Sequence, residues 1–214
     1  MLQNKGVVKI HKCYQKDWNM LTDEVRWEVI EELVKFQEKF ELKIAPKLNA
    51  KVLERGGSHF GKMDVGCAMS VFSKDTAAAI EYIVLHHNYP QEYLTTAQVI
   101  FQVAHWFDIM RCLYFKLAFS LKKPDEYKKQ CQFLENFADF FCSNKINEGS
   151  DALTDVQKGV LMTTQSVLHL QEDLIQKEGV EFFMAGRTSG DPVESHHGQA
   201  GVNISIYSVI FITE

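Results

Sequence analysis

A mainly α-helical fold is what this sequence predicts, on three observations. Apolar residues recur at the helical period over most of the chain. The four prolines, Pro46, Pro90, Pro124 and Pro192, stand far apart and leave long stretches free for helix. Strand-like character is confined to the short piece EFFMAG before Arg187 and to the tail after Gly201, where Ile204, Ile206, Val209 and Phe211 alternate.

The elements follow in order. Residues 22–40 form an amphipathic helix, with Val25, Val29, Leu33 and Phe40 on one face, Ile30 and Val34 beside it, and Thr22 as its cap. Asp23 and Glu24 suit its positive end. Pro46 closes this segment, and a Gly-rich loop, RGGSHFGK, runs from Arg55 to Lys62. A second helix spans Met63 to Leu85 on Val65, Ala68, Met69, Phe72, Ala79, Ile80 and Ile83. A third runs from Thr95, its cap, to about Leu121, with Val99, Val103, Phe107, Met110, Leu113 and Leu117 as its apolar stripe. Asp125–Phe141 makes a fourth, and Thr154–Lys177 a fifth. Between them residues 143–151, SNKINEGSD, are polar and form the best boundary in the chain. No internal repeat is present.

Composition narrows the function classes. The chain has 214 residues, 46% hydrophobic and 24% charged, enough for one large domain or two small ones. Its net charge of −5 lacks the basic excess of a free-standing DNA-binding domain. The five cysteines are odd in number and form no CxxC or Cys/His ligand cluster, so reduced thiols are expected. No apolar h-region follows Met1, so a secreted protein is not expected. The apolar tail Val202–Thr213 is shorter than the roughly 20 residues that span a bilayer.

Three places carry candidate chemistry, and each also has a plain structural explanation. Lys62 follows a Gly-rich loop at a helix start, and Ser73 lies downstream; such a loop presents backbone N–H groups to phosphate, yet it is no Walker A motif. The plain alternative is a helix start after a loose loop. Trp106-Phe107-Asp108 sits in a strongly apolar helix. There a ring stacks on a base while the carboxylate accepts from the guanine N1–H and exocyclic amine; alternatively the aromatics are core and Asp108 is solvated. Asp191 and Glu194 lie three apart, followed by His196-His197, a pattern that suits Mg²⁺ as well as an exposed polar helix. His86-His87 reads as a helix end, and no Ser-His-Asp arrangement or catalytic cysteine setting is visible.

These segments occur in the order found in P-element-like DNA transposases, the family that includes the THAP-domain transposases. The stretches APKLNAKVL, FGKMDVGCAMSVFS, TTAQVIFQVAHWFDIM and QSVLHLQEDLIQKEGVEFFMAGRTSGDPVESHHGQ resemble that family's motifs over about residues 15–199. The resemblance implies an RNase H-like (α/β) catalytic core interrupted by a helical insertion domain that binds GTP. It implies an insertion domain at 15–143, a C-terminal helical segment of the core at 151–199, and an unassigned tail at 200–214.

Residue by residue, the resemblance implies that Phe107 stacks on guanine and Asp108 hydrogen-bonds its edge. It implies Val65 and Ser73 as lining of the nucleotide site, Lys47 as a phosphate lysine and Asp191 as an aspartate near the nucleotide. Glu194 corresponds to the last of three acidic residues that hold two Mg²⁺ ions for strand cleavage and transfer. The other two belong to a part of the family that precedes the insertion and has no counterpart in this sequence, so the chain alone is expected to be catalytically inert. Departures from the family pattern are Asp64, Arg111, His196-His197 and Ala200-Gly201. The implied partners are guanine nucleotide and, in a full-length transposase, DNA, with room for a homo-oligomer, no membrane and a nuclear location. Two other readings stand beside it: a nucleotide-free helical interaction module and a decayed transposon product.

Overall fold

The computed structural model describes residues 7–10, 20–57, 65–144 and 152–188. It is mainly helical, as the periodicity predicts. The chain folds as two compact units: Met1–His105 with Ser143–Asp151, and Trp106–Cys142 with Ala152–Glu214.

In the first unit, strand β1 (Val7–Lys9) pairs antiparallel with β2 (Glu24–Arg26), with Val8 opposite Val25. Helix α1 (Glu28–Gln37) follows directly. The predicted helix from Thr22 is thus corrected at its start. Residues 24–26 are extended because Val25 is buried while Glu24 and Arg26 stay more open, the alternation of a half-buried strand. Their backbone is also claimed from elsewhere: Thr96 Oγ1 accepts from Arg26 N at 3.3 Å. Thr22 caps nothing. Its N–H donates to Thr95 Oγ1 at 3.1 Å, so two residues expected to cap separate helices meet each other instead. Thr95 is fully buried inside its helix and is likewise no cap.

Helix α1 buries Val29, Ile30, Leu33, Val34 and Phe36, and ends where Lys43 Nζ donates to the carbonyls of Gln37 (2.8 Å) and Phe40 (2.6 Å). The buried Gln37 amide ties the loop that follows. Its Oε1 accepts from Ala45 N at 3.1 Å, and its Nε2 donates to the carbonyls of Ala45 and Leu48.

Helix α2 (Ala50–Gly57) occupies the start of the predicted Gly-rich loop. The predicted helix 63–85 is two helices, α3 (Val65–Val71) and α4 (Lys74–His86), parted at Ser73. Asn88 then takes a left-handed φ of 57°, which reverses the chain before Pro90.

Helix α5 (Tyr93–Met110) supplies residues to both units. It buries Ala97, Ile100, Val103, Ala104, Trp106 and Ile109, whereas Leu113 of the predicted stripe is 44% exposed and lies beyond the helix. Apolar residues surround this helix on every side, so the period alone could not choose its buried face.

In the second unit α6 (Pro124–Ser143) and α7 (Asp155–Glu172) carry most of the core. Phe137 is its centre, with ring centroids of Trp106, Phe133, Phe140 and Phe141 at 5.6, 5.9, 6.4 and 5.7 Å. Thr154, where the sequence predicts the start of the fifth helix, caps α7 and forms a reciprocal box with Gln157. The helix continues as a π-helical turn, Asp173–Lys177, and Gly179 at φ 71° ends it.

The predicted continuation of α5 to Leu121 is corrected. Residues 112–120 spend their backbone groups on a later segment: Cys112 O accepts from Gly186 N at 3.1 Å, and Phe119 and Phe183 exchange two bonds of 2.9 Å. A single 3₁₀ turn, Phe115–Leu117, is all the helix that remains there. No helix among the described residues is long and apolar enough to cross a membrane.

Candidate functional site

The last turns of α5 present three side chains in three environments. Successive residues on a helix point about 100° apart, and here Trp106 is 4% exposed, Phe107 half-buried and Asp108 exposed. Trp106 anchors the group. Its ring stacks on Phe137 with planes 20° apart, and its Nε1 donates to Thr164 Oγ1 at 2.9 Å. Thr164 in turn donates to Val160 O at 2.7 Å, so this buried polar pair is satisfied. The Phe107 ring lies against Trp106 edge-on, centroids 5.1 Å apart, and the Phe107 carbonyl accepts from Arg111 N at 2.9 Å. The result is a ring held by a rigid neighbour, with an exposed carboxylate beside it.

Ser73 is placed by a different device. It stands in extended conformation between α3 and α4, where its Oγ accepts from Thr76 N at 3.1 Å and touches Thr76 Oγ1 at 3.0 Å. Thr76 Oγ1 donates back to Ser70 O at 3.0 Å. The Ser73 hydroxyl therefore caps the positive end of a 13-residue helix. Val65, half-buried, opens α3, and Lys47 is exposed on the turn after Pro46.

The candidates divide by unit. Lys47, Val65 and Ser73 belong to the first, Phe107 and Asp108 to the second, where the last two are adjacent on one helix. Asp191 and Glu194, with Lys62, Asp64 and His196-His197, lie outside the described residues. Among the described residues no group of three or more His, Cys, Asp or Glu is placed to hold a metal ion.

One feature of the first unit had no signal in the sequence. A small hollow is lined by Thr22, Glu24, Arg26, Val29, Glu92, Tyr93 and Thr96, and none of Lys47, Val65 and Ser73 lines it. Arg26 and Glu24 form an exposed ion pair of 2.7 Å at its rim. Tyr93 donates to Glu32 Oε2 at 2.8 Å. Burial first, then that carboxylate, pushes the Tyr93 hydroxyl well above its usual range and keeps it neutral. Strand β2 creates the hollow, and strand formation there followed from tertiary partners.

Among the described residues, Cys67, Cys112, Cys131 and Cys142 are thiols in no disulfide. Burial raises the Cys131 and Cys142 thiols above their ordinary value, which opposes a thiolate at either position.

Comparison with known proteins adds two findings. A family model described as the TNP-like, GTP-binding insertion domain matches residues 7–124, a stretch that contains Lys47, Val65, Ser73, Phe107 and Asp108. The fold is similar to that of the Drosophila P element transposase in its strand transfer complex, with a TM-score of 0.74 at 17% identity. That likeness covers 99% of this chain and 46% of the other, so the chain spans just under half the length of the protein it resembles. No curated protein matches the sequence.

Proposed function

The chain belongs to the TNP-like family of GTP-binding insertion domains, and on that premise we propose that it is a guanine-nucleotide-binding module of a P-element-like DNA transposase. The observation that carries this reading is the pairing of a half-buried Phe107 with an exposed Asp108 on the last turns of α5. The Phe107 ring stacks on the base. The Asp108 carboxylate accepts from N1–H and the exocyclic amine of guanine. Adenine offers an acceptor at N1 and only a C–H at position 2, so it cannot present the two adjacent donors and its N1 lone pair faces the same carboxylate. The resemblance also assigns Lys47 to the phosphates and Val65, Ser73 and Asp191 to the nucleotide. The positive end of α4, which Ser73 caps, is a setting that suits an anion.

In a longer protein, residues 15–143 are the insertion domain, and 151–199 complete an RNase H-like core with Glu194 as one Mg²⁺ ligand. Such a protein acts on DNA in the nucleus. Mg²⁺ there supplies Lewis-acid stabilisation of the phosphate transfer. A single carboxylate such as Glu194 cannot by itself hold two ions in a reactive geometry, so strand chemistry would need further carboxylates beside it.

Calorimetric titration with GTP and ATP, each with and without Mg²⁺, tests the reading. GTP is expected to bind selectively. Asp108→Ala removes two charged hydrogen bonds and should weaken GTP by roughly 10²-fold or more while leaving ATP unchanged. A folded chain that ignores millimolar GTP leaves the interaction-module reading, which the exposed row Leu113, Tyr114 and Phe115 favours.

A further inference from the structure

Gly186 brings two backbones into close contact in the second unit. A Cβ built on it would stand 2.7 Å from both the carbonyl carbon and oxygen of Arg111, and 2.8 Å from Cys112 O. All three are backbone atoms, so no side chain can swing away to make room. The contact is also bonded, because Gly186 N donates to Cys112 O at 3.1 Å.

The partner stretch is the exit of α5. Arg111 N donates to Phe107 O at 2.9 Å, and Cys112 N to Ile109 O at 3.2 Å, so the position of Arg111–Cys112 is tied directly to the turn that holds Phe107 and Asp108. Farther along, the same two segments stay fastened. Phe119 pairs with Phe183, Ser120 Oγ donates to Glu181 O at 2.7 Å, and Lys122 pairs with Glu181 at 2.8 Å. Ala185, next to Gly186, is buried.

We infer that Gly186 is a positioning residue for the guanine site: its lack of a side chain lets residues 181–187 clamp the end of α5 and fix the direction of Phe107 and Asp108. This rests on the reading of Phe107 and Asp108 as base contacts. A chain segment far along the sequence, and outside the matched family region, thereby sets base selectivity. Any side chain at Gly186 forces the two backbones apart at the last turn of α5, where the carboxylate must meet two donors at once.

Gly179 supplies the control. It lies in the same unit at φ 71°, with nothing within 4 Å of its added Cβ. Gly179→Ala therefore strains the backbone locally and displaces no part of α5. Wild type, Gly186→Ala and Gly179→Ala are compared by thermal unfolding, GTP titration and amide hydrogen exchange of residues 107–112. Gly186→Ala is expected to speed exchange at Arg111 and Cys112 and to weaken GTP roughly 10- to 100-fold. Gly179→Ala should lower the melting temperature with both readouts unchanged. Ser120→Ala, which loosens the same clamp without inserting an atom, should weaken GTP in the same direction by roughly twofold to fivefold.

Equal GTP affinity in Gly186→Ala and wild type overturns the inference. So does a Ser120→Ala protein with wild-type affinity and exchange, should Gly186→Ala fail to fold. If wild type itself does not bind GTP, the base-contact reading falls. Unchanged exchange at Arg111 and Cys112 in Gly186→Ala would then also remove the clamp, and faster exchange would retain it.

Discussion

Trp106 shows how a single side chain organises its neighbours. Its ring fills the core beside Phe137, its Nε1 satisfies Thr164, and Phe107 is held against its edge. Trp106→Phe keeps most of the apolar burial and removes the donor. Thr164 Oγ1 keeps Val160 O as its acceptor but loses the indole N–H. The expected cost is about 1–3 kcal/mol, from the lost hydrogen bond and the space left by the smaller ring, read as a lower urea midpoint at unchanged slope. GTP affinity should fall with it, since the Phe107 ring loses its backing. If stability drops while affinity holds, Phe107 is positioned by something other than Trp106. The sequence already showed the aromatic beside the carboxylate. It did not show that Trp106, rather than Phe107, is the buried one, because α5 is apolar on all sides and only its neighbours choose the face.

Helix ends show which local rules survive folding. Thr154 and Ser73 both cap helices, and both lie at the start of a turn whose third residue answers them, Gln157 and Thr76. Gln157 also donates through Nε2 to the carbonyls of Phe141 and Cys142, which ties α7 to the end of α6. Thr22 and Thr95 look alike in sequence and cap nothing, since each is claimed by the other across 73 residues. Ser73→Ala should cost about 1 kcal/mol of stability, some 2–4 °C for a chain of this size. Ser73→Asp separates capping from binding. It keeps the cap and the favourable charge at the α4 end, so the melting temperature should stay near wild type. A carboxylate beside nucleotide phosphates should weaken GTP roughly tenfold. Full affinity in Ser73→Asp would take Ser73 out of the nucleotide site and leave it a cap.

The chain as a whole keeps an architecture that its residues alone hardly advertise. At 17% identity to the Drosophila P element transposase, nearly all of it still follows that fold, over 46% of that protein's length. Helical periodicity and core volume survive substitution far better than residue identity does. Incubated with transposon-end DNA and Mg²⁺ or Mn²⁺, the 214-residue chain is expected to produce no nicked or joined strands above background. Strand transfer by the chain alone would sink the view that Glu194, the carboxylate the resemblance assigns to catalysis, is insufficient by itself. GTP binding in the same preparation would be expected to persist, because the matched family region lies within residues 7–124.

Local chemistry in the sequence determined the helical class, the start of α7 near Thr154, α6 after Pro124, and the aromatic–carboxylate pair on α5. Each rests on near neighbours in the chain, which is all that period, caps and prolines report. Tertiary structure decided the rest. Residues 24–26 became a strand because Val8 and Thr96 lie beside them. Helix α5 stopped at Met110 because Phe183 and Gly186 take the backbone groups that further helix would have used. Gly186 itself carries no pattern in its own neighbourhood. Its necessity is a distance of 2.7 Å to a carbonyl 75 residues earlier in the chain, and only a folded backbone contains that distance.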